Sequence, residues 1–362
     1  MNVLLVAAAS SVHVMRWANA FVGRGHGVHL VTQHDPVHGF DRTVVMHRFP
    51  HAAGAGYVLN RTTLKKLIAR LRPDVVNAHY ASGYGTLAVR VPGIPLVLNV
   101  WGSDVYEFPD SGIVQRRLLR RNLRRADVVV STSHVMAKRT KAVCPGLGPI
   151  TVVPFGVDLD RFQPRKEAST APGVMTIGTI KTLAPKYGVD TLIRAFALVR
   201  ERFEAGTALR LRIVGGGAQA NELQALIAHL GLQTHVDMVG PVPHAQVPDE
   251  LRKLDIYAAL SRTDSESFGV AVIEASACSL PVVVSNVGGL PEVVEDGVTG
   301  FVVPKDDPES AAQRIMELIA SEELRERIGA AGRSKVEREY GWNDCVDRMV
   351  AVYEGAIERM RS

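Results

Sequence analysis

The sequence is poor in the residues and patterns that define several specialised classes of protein. Its 362 residues include three cysteines, far apart and without metal-ligand spacing, which excludes a disulfide scaffold and is typical of reduced thiols in the cytoplasm. No apolar run approaches the roughly 20 residues that cross a bilayer. The net charge of +5 favours an anionic partner but is too small to identify one. Without a recognition module or interleaved aromatic residues, a nucleic acid is not an expected partner.

The N-terminal segment "MNVLLVAAAS" is apolar, and "ANA" at residues 18–20 resembles a signal-peptidase site. A signal peptide carries Lys or Arg before its apolar run, and none precedes this one. We therefore predict that the segment is the first buried strand of a cytoplasmic protein.

The chain has a regular alternation of short apolar runs and amphipathic segments. Runs rich in Val, Ile and Leu, such as "NVLLVAAA", "DVVNAHY" and "PLVLNVW", are typical of parallel strands buried on both faces. The helical segments between them predict a doubly wound α/β fold. The alternation stops at the polar, proline-containing segment "DRFQPRKEASTAPG" and resumes at "VMTIGTI".

This interruption predicts two domains of similar size. We expect the first domain to span residues 1–160, the linker 161–172 and the second domain 173–342, with a final helix of residues 343–362 packing back on the first domain. Two such domains facing each other would leave a cleft at the carboxyl ends of both sheets, where ligands of this fold class bind.

The segment "ESFGVAVIE" carries a carboxylate at each end, Glu266 and Glu274. It predicts a short helix that begins after Glu266 and has Glu274 in its second turn. Eight helical residues rise about 12 Å, roughly the span from a sugar across a diphosphate to a ribose. The amides of Phe268, Gly269 and Val270 would offer an anion site between the two acids. The pattern indicates a nucleotide-sugar site; alternatively, Glu266 is only a helix-start acid and Glu274 an exposed surface position.

Extended to "ESFGVAVIEASACSLPVVVSNVGGLPEVVEDGVTGFVV", this segment closely resembles the nucleotide-sugar domain of retaining family-four glycosyltransferases. The resemblance continues through "VVPFGVDLDRFQP", "LRIVGGG" and "VGPVPHAQVPDELRKLDIY", and is densest from about residue 150 to 345. It implies the GT-B fold, in which two Rossmann-like domains face each other across a cleft. It also implies a nucleoside-diphosphate sugar as donor substrate and no further cofactor.

The resemblance assigns functions to individual residues of the second domain. The first acid of the family motif contacts the transferred sugar beside its anomeric carbon, which implies a catalytic function for Glu266, and the second acid, Glu274, binds the ribose. The amides after the first acid hold sugar hydroxyls and phosphate. In "TIGTIKTLAPKYG", Thr179 stands in place of the family's diphosphate-binding arginine and leaves Lys181 and Lys186 as the cations. Alternatively, both lysines are solvated loop charges.

The candidates on the acceptor side lie in the first domain, at the ends of predicted strands. Ser11 and His13 follow the first strand, and His79 ends the strand in "NAHYASGYG". Trp101 stands where the family frequently has a histidine proposed to assist the reaction, so Asp104 becomes the nearest polar candidate for catalysis. Alternatively, His13 is a surface residue, and Trp101 is a core aromatic rather than a residue that stacks on a sugar.

The implied reaction transfers a hexosyl unit to an acceptor hydroxyl with retention at the anomeric carbon. In the same-face substitution usually proposed for the family, the departing phosphate oxygen takes the acceptor proton. The protein then supplies positioning, charge stabilisation and exclusion of water. No metal-ligand cluster is visible in the sequence, and we predict a reaction that is independent of metal.

Arginines recur along "QRRLLRRNLRRAD" and would form one broad basic stripe on a helix. A basic amphipathic helix is typical of contact with an anionic membrane surface. We therefore expect a peripheral protein at the inner face of the cell membrane. Together with the family resemblance, the stripe implies a glycan or lipid-linked acceptor in bacterial surface polysaccharide or lipopolysaccharide assembly. The stripe is equally compatible with a solvated helix whose leucines pack on the first sheet. The arginines are Arg116, Arg117, Arg120, Arg121, Arg124 and Arg125.

Three further functions fit parts of the sequence. "VGGGAQA", followed by Asp237, satisfies the dinucleotide-binding pattern of a dehydrogenase, but it lies in the second domain and leaves the two acids unexplained. The two acids also fit a nucleotide-sugar epimerase of GT-B fold or a catalytically silent sugar-nucleotide-binding protein. Val242, in "GPVPH", is expected to contact the base, although the sequence does not indicate which base, sugar or acceptor is used.

Overall fold

The computed structural model describes residues 1–89, 93–165, 173–203 and 208–361. It contains two compact units, one formed by Met1–Phe155 with Asn343–Ser362 and the other by Gly156–Trp342. Each unit is built on a parallel sheet interleaved with helices, which confirms the predicted α/β class. Of the predicted linker, residues 166–172 lie outside the described residues.

The first unit has a parallel sheet whose strands, in its described residues, are β1 (Asn2–Val6), β2 (Gly27–Thr32), β3 (Val45–Arg48), β4 (Val75–His79), β5 (Leu96–Val100), β6 (Val128–Ser131) and β7 (Ile150–Val152). They pair in the order β3-β2-β1-β4-β5-β6-β7. In this register Val6 lies between Val31 of β2 and Ala78 of β4. All residues of β4 and β5 are buried, because a central parallel strand is covered on both faces.

The helices of this unit before residue 150 are α1 (Val12–Gly23), α2 (Gly56–Leu59), α3 (Arg61–Leu71), α4 (Gly83–Ala88), α5 (Ser103–Tyr106), α6 (Ile113–Arg125) and α7 (His134–Val143). Leucine side chains from α3, α4 and α6 belong to a core cluster with residues of the sheet, and this cluster includes Leu64, Leu87 and Leu119.

The second unit has a parallel sheet of β8 (Val174–Ile180), β9 (Ala208–Val214), β10 (Val236–Gly240), β11 (Ile256–Ala259), β12 (Val282–Ser285) and β13 (Phe301–Val303) in its described residues. The strands pair in the order β10-β9-β8-β11-β12-β13. Its helices are α8 (Val189–Arg202), α9 (Ala220–His229), α10 (Val247–Leu251), α11 (Val270–Ala277), α12 (Leu290–Val293), α13 (Pro308–Ala320) and α14 (Glu322–Glu339).

The last helix, α15 (Trp342–Arg361), is anchored to the first unit through a buried tyrosine. Tyr353 is fully buried, and its ring centroid lies 5.3 Å from that of Phe21. Asn77 of β4 donates a hydrogen bond to the Tyr353 hydroxyl and accepts one from Asn99 of β5. Burial raises the pKa of Tyr353, so the hydroxyl is neutral. This polar network lies inside an otherwise apolar contact and determines where the helix docks.

Candidate active site

The strand order of the second sheet creates a topological switch point between β8 and β11. From β8 the order continues through β9 on one side, and from β11 through β12 on the other. Ligands of doubly wound sheets bind at the carboxyl ends of the strands where the order reverses. Lys181 directly follows β8, and Ser261 and Glu266 follow β11. The strand order therefore brings a predicted cation and a predicted acid to this point.

Glu266 forms a buried ion pair with Lys181. The Lys181 Nζ lies 2.7 Å from Glu266 Oε2, and the two side chains are only 10% and 12% exposed. The hydroxyl of Ser261 donates to the same carboxylate oxygen over 3.3 Å. Burial disfavours the charge of Lys181, but the attraction of Glu266, the neighbouring Tyr257 and the hydrogen bond outweigh it and raise the pKa of Lys181. The site therefore holds a fixed cation beside the acid.

Two glycines allow other loops to pack against the backbone of this pair. A Cβ on Gly215, which has a φ of +146°, would lie 1.8 Å from the carbonyl oxygen of Lys181. A Cβ on Gly288, which has a φ of +50°, would lie 2.2 Å from the carbonyl oxygen of Glu266. Both contacts exclude any side chain, so glycine is required at each position. Gly215, the first glycine of "VGGGAQA", thus has a packing function next to Lys181, which accounts for it without a dinucleotide.

Glu274 lies in the second turn of α11, as the sequence predicts, and Gly269 is the N-cap of that helix. The side chain of Glu274 is buried, which contradicts the interpretation of this residue as an exposed surface position. The Nε2 atom of His244 lies 2.9 Å from Glu274 Oε1. Val270 is the first residue of the helix, and the amides at a helix start have no partner within the helix. An anion-binding helix start and a buried acid therefore belong to one element.

Lys186, the second predicted cation, contacts the same tyrosine ring as Lys181. The ammonium groups of Lys181 and Lys186 lie 4.8 and 4.9 Å from the centroid of the Tyr187 ring, as in cation–π contacts. Lys186 is half-buried. Tyr187, which sequence reasoning missed, brings the two lysines to one ring.

The remaining predicted donor residues differ in exposure. Phe268 is buried, and its ring centroid lies 5.5 Å from that of Tyr340, so the ring is part of the core. Val242 is half-buried in the loop that follows β10, two residues before His244. The structure therefore leaves the side chain of Val242 partly accessible and that of Phe268 inaccessible.

Thr179, where the family has an arginine, is buried within β8. Its side chain is hydrogen-bonded to Tyr257 of β11, whose hydroxyl also donates to the carbonyl of Ile180 over 3.3 Å. Burial raises the pKa of Tyr257 to about 12 although Lys181 acts in the opposite direction. The cation beside Glu266 is therefore Lys181, two residues further along the chain than the family's arginine.

Trp101 lies in an aromatic cluster at the carboxyl ends of the first sheet. Its ring centroid is 4.4 Å from His79, 5.1 Å from Phe155 and 6.1 Å from His13. Burial lowers the pKa of His79 to about 3, with a smaller contribution from His13, so His79 is neutral near pH 7. Ser11 is half-buried at the N-cap of α1. The cluster brings together three predicted acceptor-side residues, and the burial of Trp101 favours the core-aromatic interpretation.

Asp104 is only 1% exposed, and backbone amides surround its carboxylate. Oδ1 accepts from the amides of Trp101 and Gly102 over 3.1 and 2.9 Å, and Oδ2 accepts from the amide of Ala81 over 2.8 Å. Burial raises the pKa of Asp104, while these hydrogen bonds act in the opposite direction. The geometry favours a structural function, holding the Trp101 loop, over the catalytic function expected from the sequence.

Helix α6 carries the arginine stripe and packs on the first unit through leucines. Leu119 and Leu123 are fully buried, in agreement with the alternative that the leucines of this helix pack on the first sheet. Arg120 and Arg121 are half-buried, and the exposed arginines of the stripe are Arg116, Arg117, Arg124 and Arg125.

The start of α6 exposes two apolar residues that sequence reasoning missed. Ile113 and Val114 are 72% and 73% exposed, beside the arginine stripe. Arg116 forms an ion pair of 2.9 Å with Asp110, in the turn before the helix. The tip of the helix is therefore both apolar and basic.

In the part of the chain that the structure describes, no helix combines the length and the apolar character needed to cross a membrane. Within the same residues, no group of three or more His, Cys, Asp or Glu side chains is arranged to hold a metal ion. The three cysteines are free and buried.

Comparison with known families identifies the class of this protein. The model "Glycosyl transferase 4-like" matches residues 2–133, and the model "Glycosyl transferases group 1" matches residues 161–335. These matches cover β1 to β6 of the first sheet and β8 to β13 of the second. Together with the two parallel α/β units, they define a glycosyltransferase of the GT-B type.

Two relatives and one solved structure extend this assignment. D-inositol 3-phosphate glycosyltransferase 1 of Catenulispora acidiphila is 30% identical over 333 residues, which are 83% of this chain and 77% of the relative. GDP-mannose-dependent alpha-(1-6)-phosphatidylinositol monomannoside mannosyltransferase of Mycolicibacterium smegmatis is 32% identical over 257 residues, 68% of this chain and 66% of the relative. The crystal structure of Anabaena Alr3699/HepE in complex with UDP and glucose shares the fold. It has a TM-score of 0.80 and 16% identity, and the match covers 98% of this chain and all of that chain. The chain belongs to the family-four glycosyltransferases and is a hexosyltransferase.

Proposed function

We propose that the protein is a retaining enzyme that moves a hexosyl unit from a nucleoside-diphosphate sugar to a hydroxyl of a glycan or lipid-linked acceptor. The observation that carries this proposal is the buried Lys181–Glu266 pair at the switch point of the second sheet, with the buried acid Glu274 in α11. A relative named for its use of GDP-mannose and a solved structure that holds UDP and glucose support a nucleotide-sugar donor.

The donor is bound through complementary charges and hydrogen bonds. Lys181 and Lys186 face the diphosphate, and the amides at the start of α11 bind phosphate and sugar hydroxyls. Glu274 accepts hydrogen bonds from the ribose. Lys181 and Ser261 engage Oε2 of Glu266, and Oε1 lies outside both contacts. In this proposal Oε1 accepts a hydrogen bond from a sugar hydroxyl.

The chemical step breaks the bond between the anomeric carbon and the diphosphate oxygen. The acceptor oxygen forms its bond to the anomeric carbon on the same face, and the acceptor proton passes to the departing phosphate oxygen. The leaving diphosphate gains negative charge, which the two fixed ammonium groups stabilise without reorganisation. No side chain has to act as a base in this scheme, and no metal takes part. Addition of a chelator is therefore expected to leave the rate unchanged.

The tip of α6 supports contact with an anionic membrane at the inner face of the cell membrane. Exposed Ile113 and Val114 would enter the lipid interface while the neighbouring arginines meet anionic headgroups. The double substitution Ile113→Ser and Val114→Ser is expected to reduce flotation with vesicles of phosphatidylglycerol. Val298→Ser, at an exposed apolar position of the second unit, is the matched control. Undiminished flotation of the double variant would contradict this contact.

Two measurements test the proposed enzyme. In a thermal-shift screen of UDP-, GDP- and ADP-sugars, a donor at 100 times its dissociation constant should stabilise by about 2.7 kcal/mol, a shift of several degrees. Glu266→Gln should then retain donor binding and lose transfer by at least about 100-fold. Absence of a shift with every donor would refute the proposal. Release of epimerised nucleotide-sugar without acceptor would instead indicate an epimerase.

A further inference from the structure

The acid expected at the ribose, Glu274, has a specific partner on another element. His244 Nε2 lies 2.9 Å from Glu274 Oε1, and the Glu274 side chain is almost completely buried whereas that of His244 is 30% exposed. A buried carboxylate is unfavourable unless it is hydrogen-bonded. The contact with His244 accounts for the position of Glu274 among the apolar residues of α11.

This hydrogen bond has a defined direction. An ionised carboxylate only accepts, so the shared proton is on Nε2 of His244. The bond engages Oε1 and leaves Oε2 outside it. Because both oxygens of a carboxylate lie in one plane, holding one of them restricts the direction of the other.

The backbone that carries His244 is itself constrained. Gln246 N donates to the carbonyl of Pro243 over 2.8 Å, which closes a 3₁₀ turn that begins at His244. The ring centroid of the buried Phe162 lies 6.0 Å from that of the imidazole. This turn lies next to Val242 in the chain. The loop expected to contact the nucleotide base therefore also supports Glu274, the acid expected to bind the ribose.

We infer that His244 is a positioning residue for the nucleoside half of the donor. Its Nε2–H holds Glu274 so that Oε2 meets the 2′- and 3′-hydroxyls of the ribose. The inference rests on the proposed donor function and deepens it. Because His244 acts through Glu274 and does not touch the reacting atoms, its loss weakens donor binding and leaves the chemical step intact.

The test compares nucleotides with and without ribose hydroxyls. Wild type, His244→Ala and His244→Gln are titrated calorimetrically with UDP, GDP and ADP, and with the 2′,3′-dideoxy analogue of each. We expect wild type to bind its preferred nucleotide about tenfold more tightly than the analogue, the effect of a hydrogen bond to a charged group. His244→Ala should lose most of this tenfold ratio between the affinity for the nucleotide and the affinity for its dideoxy analogue. His244→Gln, which retains an N–H donor, should keep it. In steady-state assays with the corresponding sugar donor, KM of His244→Ala should rise about tenfold while kcat changes less than about twofold.

The control is His229→Ala, which removes an exposed histidine at the end of α9 and should keep the wild-type ratio. Melting temperatures show whether each variant is folded. A wild-type ratio in His244→Ala, or a loss that His244→Gln does not restore, would overturn the function of His244 while the donor function stands. A wild-type protein that binds none of the three nucleotides would refute the donor function, and this inference with it. If wild type binds a nucleotide and its dideoxy analogue equally well, the assignment of Glu274 and His244 to the ribose is refuted, and the donor function stands.

Discussion

Removal of the ammonium group next to Glu266 should affect both stability and catalysis. Lys181→Met keeps most of the side-chain volume but leaves Glu266, which is 12% exposed, without its cation. Removing one partner of a buried ion pair costs about 3–5 kcal/mol of unfolding free energy. Loss of one fixed group that stabilises transition-state charge lowers kcat by about 100- to 1000-fold. We expect both losses in this single variant.

A second substitution separates the two effects. In Lys181→Met combined with Glu266→Gln, no unpaired charge remains, so stability should recover by about 2 kcal/mol or more while transfer stays low. Lys253→Met is the matched control, since Lys253 lies 2.6 Å from Glu250 but is 53% exposed. Arg212 remains 2.7 Å from Glu250, and the expected cost is therefore only about 0–1 kcal/mol.

Urea unfolding at pH 7, followed by circular dichroism, measures the loss of unfolding free energy. A sugar-transfer assay measures the loss of kcat. The pKa of Lys181 is raised in the folded protein. The resulting stability is therefore fully present below the unfolded pKa of 10.5 and is lost only as the pH rises through the folded value. At pH 7 the whole effect is measured. A loss smaller than about 1 kcal/mol together with normal transfer would refute the argument that the pair is buried and functional.

Three further predictions concern the first unit. Asp104→Asn should lower the unfolding free energy by about 1–3 kcal/mol by disturbing the amide contacts, with kcat changed less than tenfold; normal stability with a 100-fold loss of kcat would instead indicate direct catalysis. Tyr353→Phe should cost about 1–3 kcal/mol, measured by urea unfolding, because Asn77 loses a buried acceptor, and transfer should be unchanged. For His79, the pKa is lowered to about 3, so between pH 6.5 and 3 the unfolded chain binds a proton that the folded chain does not. Stability should therefore fall on acidification by up to about 1.4 kcal/mol per pH unit, and His79→Gln should be less sensitive across pH 7 to 4 in the same assay.

The fold class could be predicted because its physical requirement is local in the sequence. Strands buried on both faces must be short apolar runs, and β4 and β5 are such runs. Strand β3 lacks such a run, because it lies at the edge of the sheet and is largely exposed. Helix α14 has a weak apolar periodicity, because charged residues dominate it and few of its positions are buried. Elements without a two-sided or strongly periodic burial pattern therefore leave little signal.

The two acids could also be predicted, but their partners could not. Glu266 and Glu274 share one segment in which the start of a helix is visible from the sequence. Lys181, however, is 85 residues from Glu266, and His244 is 30 residues from Glu274. These contacts depend on which strands are neighbours in the sheet, and periodicity does not specify strand order. Gly215 shows the same limit, because glycine is required there by the carbonyl of Lys181, which follows a different strand.

The two departures from the family pattern have different consequences for the site. At position 179 the family's arginine is replaced by Thr179, whose buried hydroxyl pairs with that of Tyr257 at the end of the strand. The missing positive charge is supplied by Lys181, which lies beside Glu266. At Trp101 neither His79 nor Asp104 takes over as a base, because His79 is buried and neutral and the Asp104 carboxylate accepts three backbone amides. A reaction in which the departing phosphate takes the acceptor proton needs no base at this position. The chemistry proposed for this enzyme therefore depends on the cations of the second unit and on the acceptor's placement.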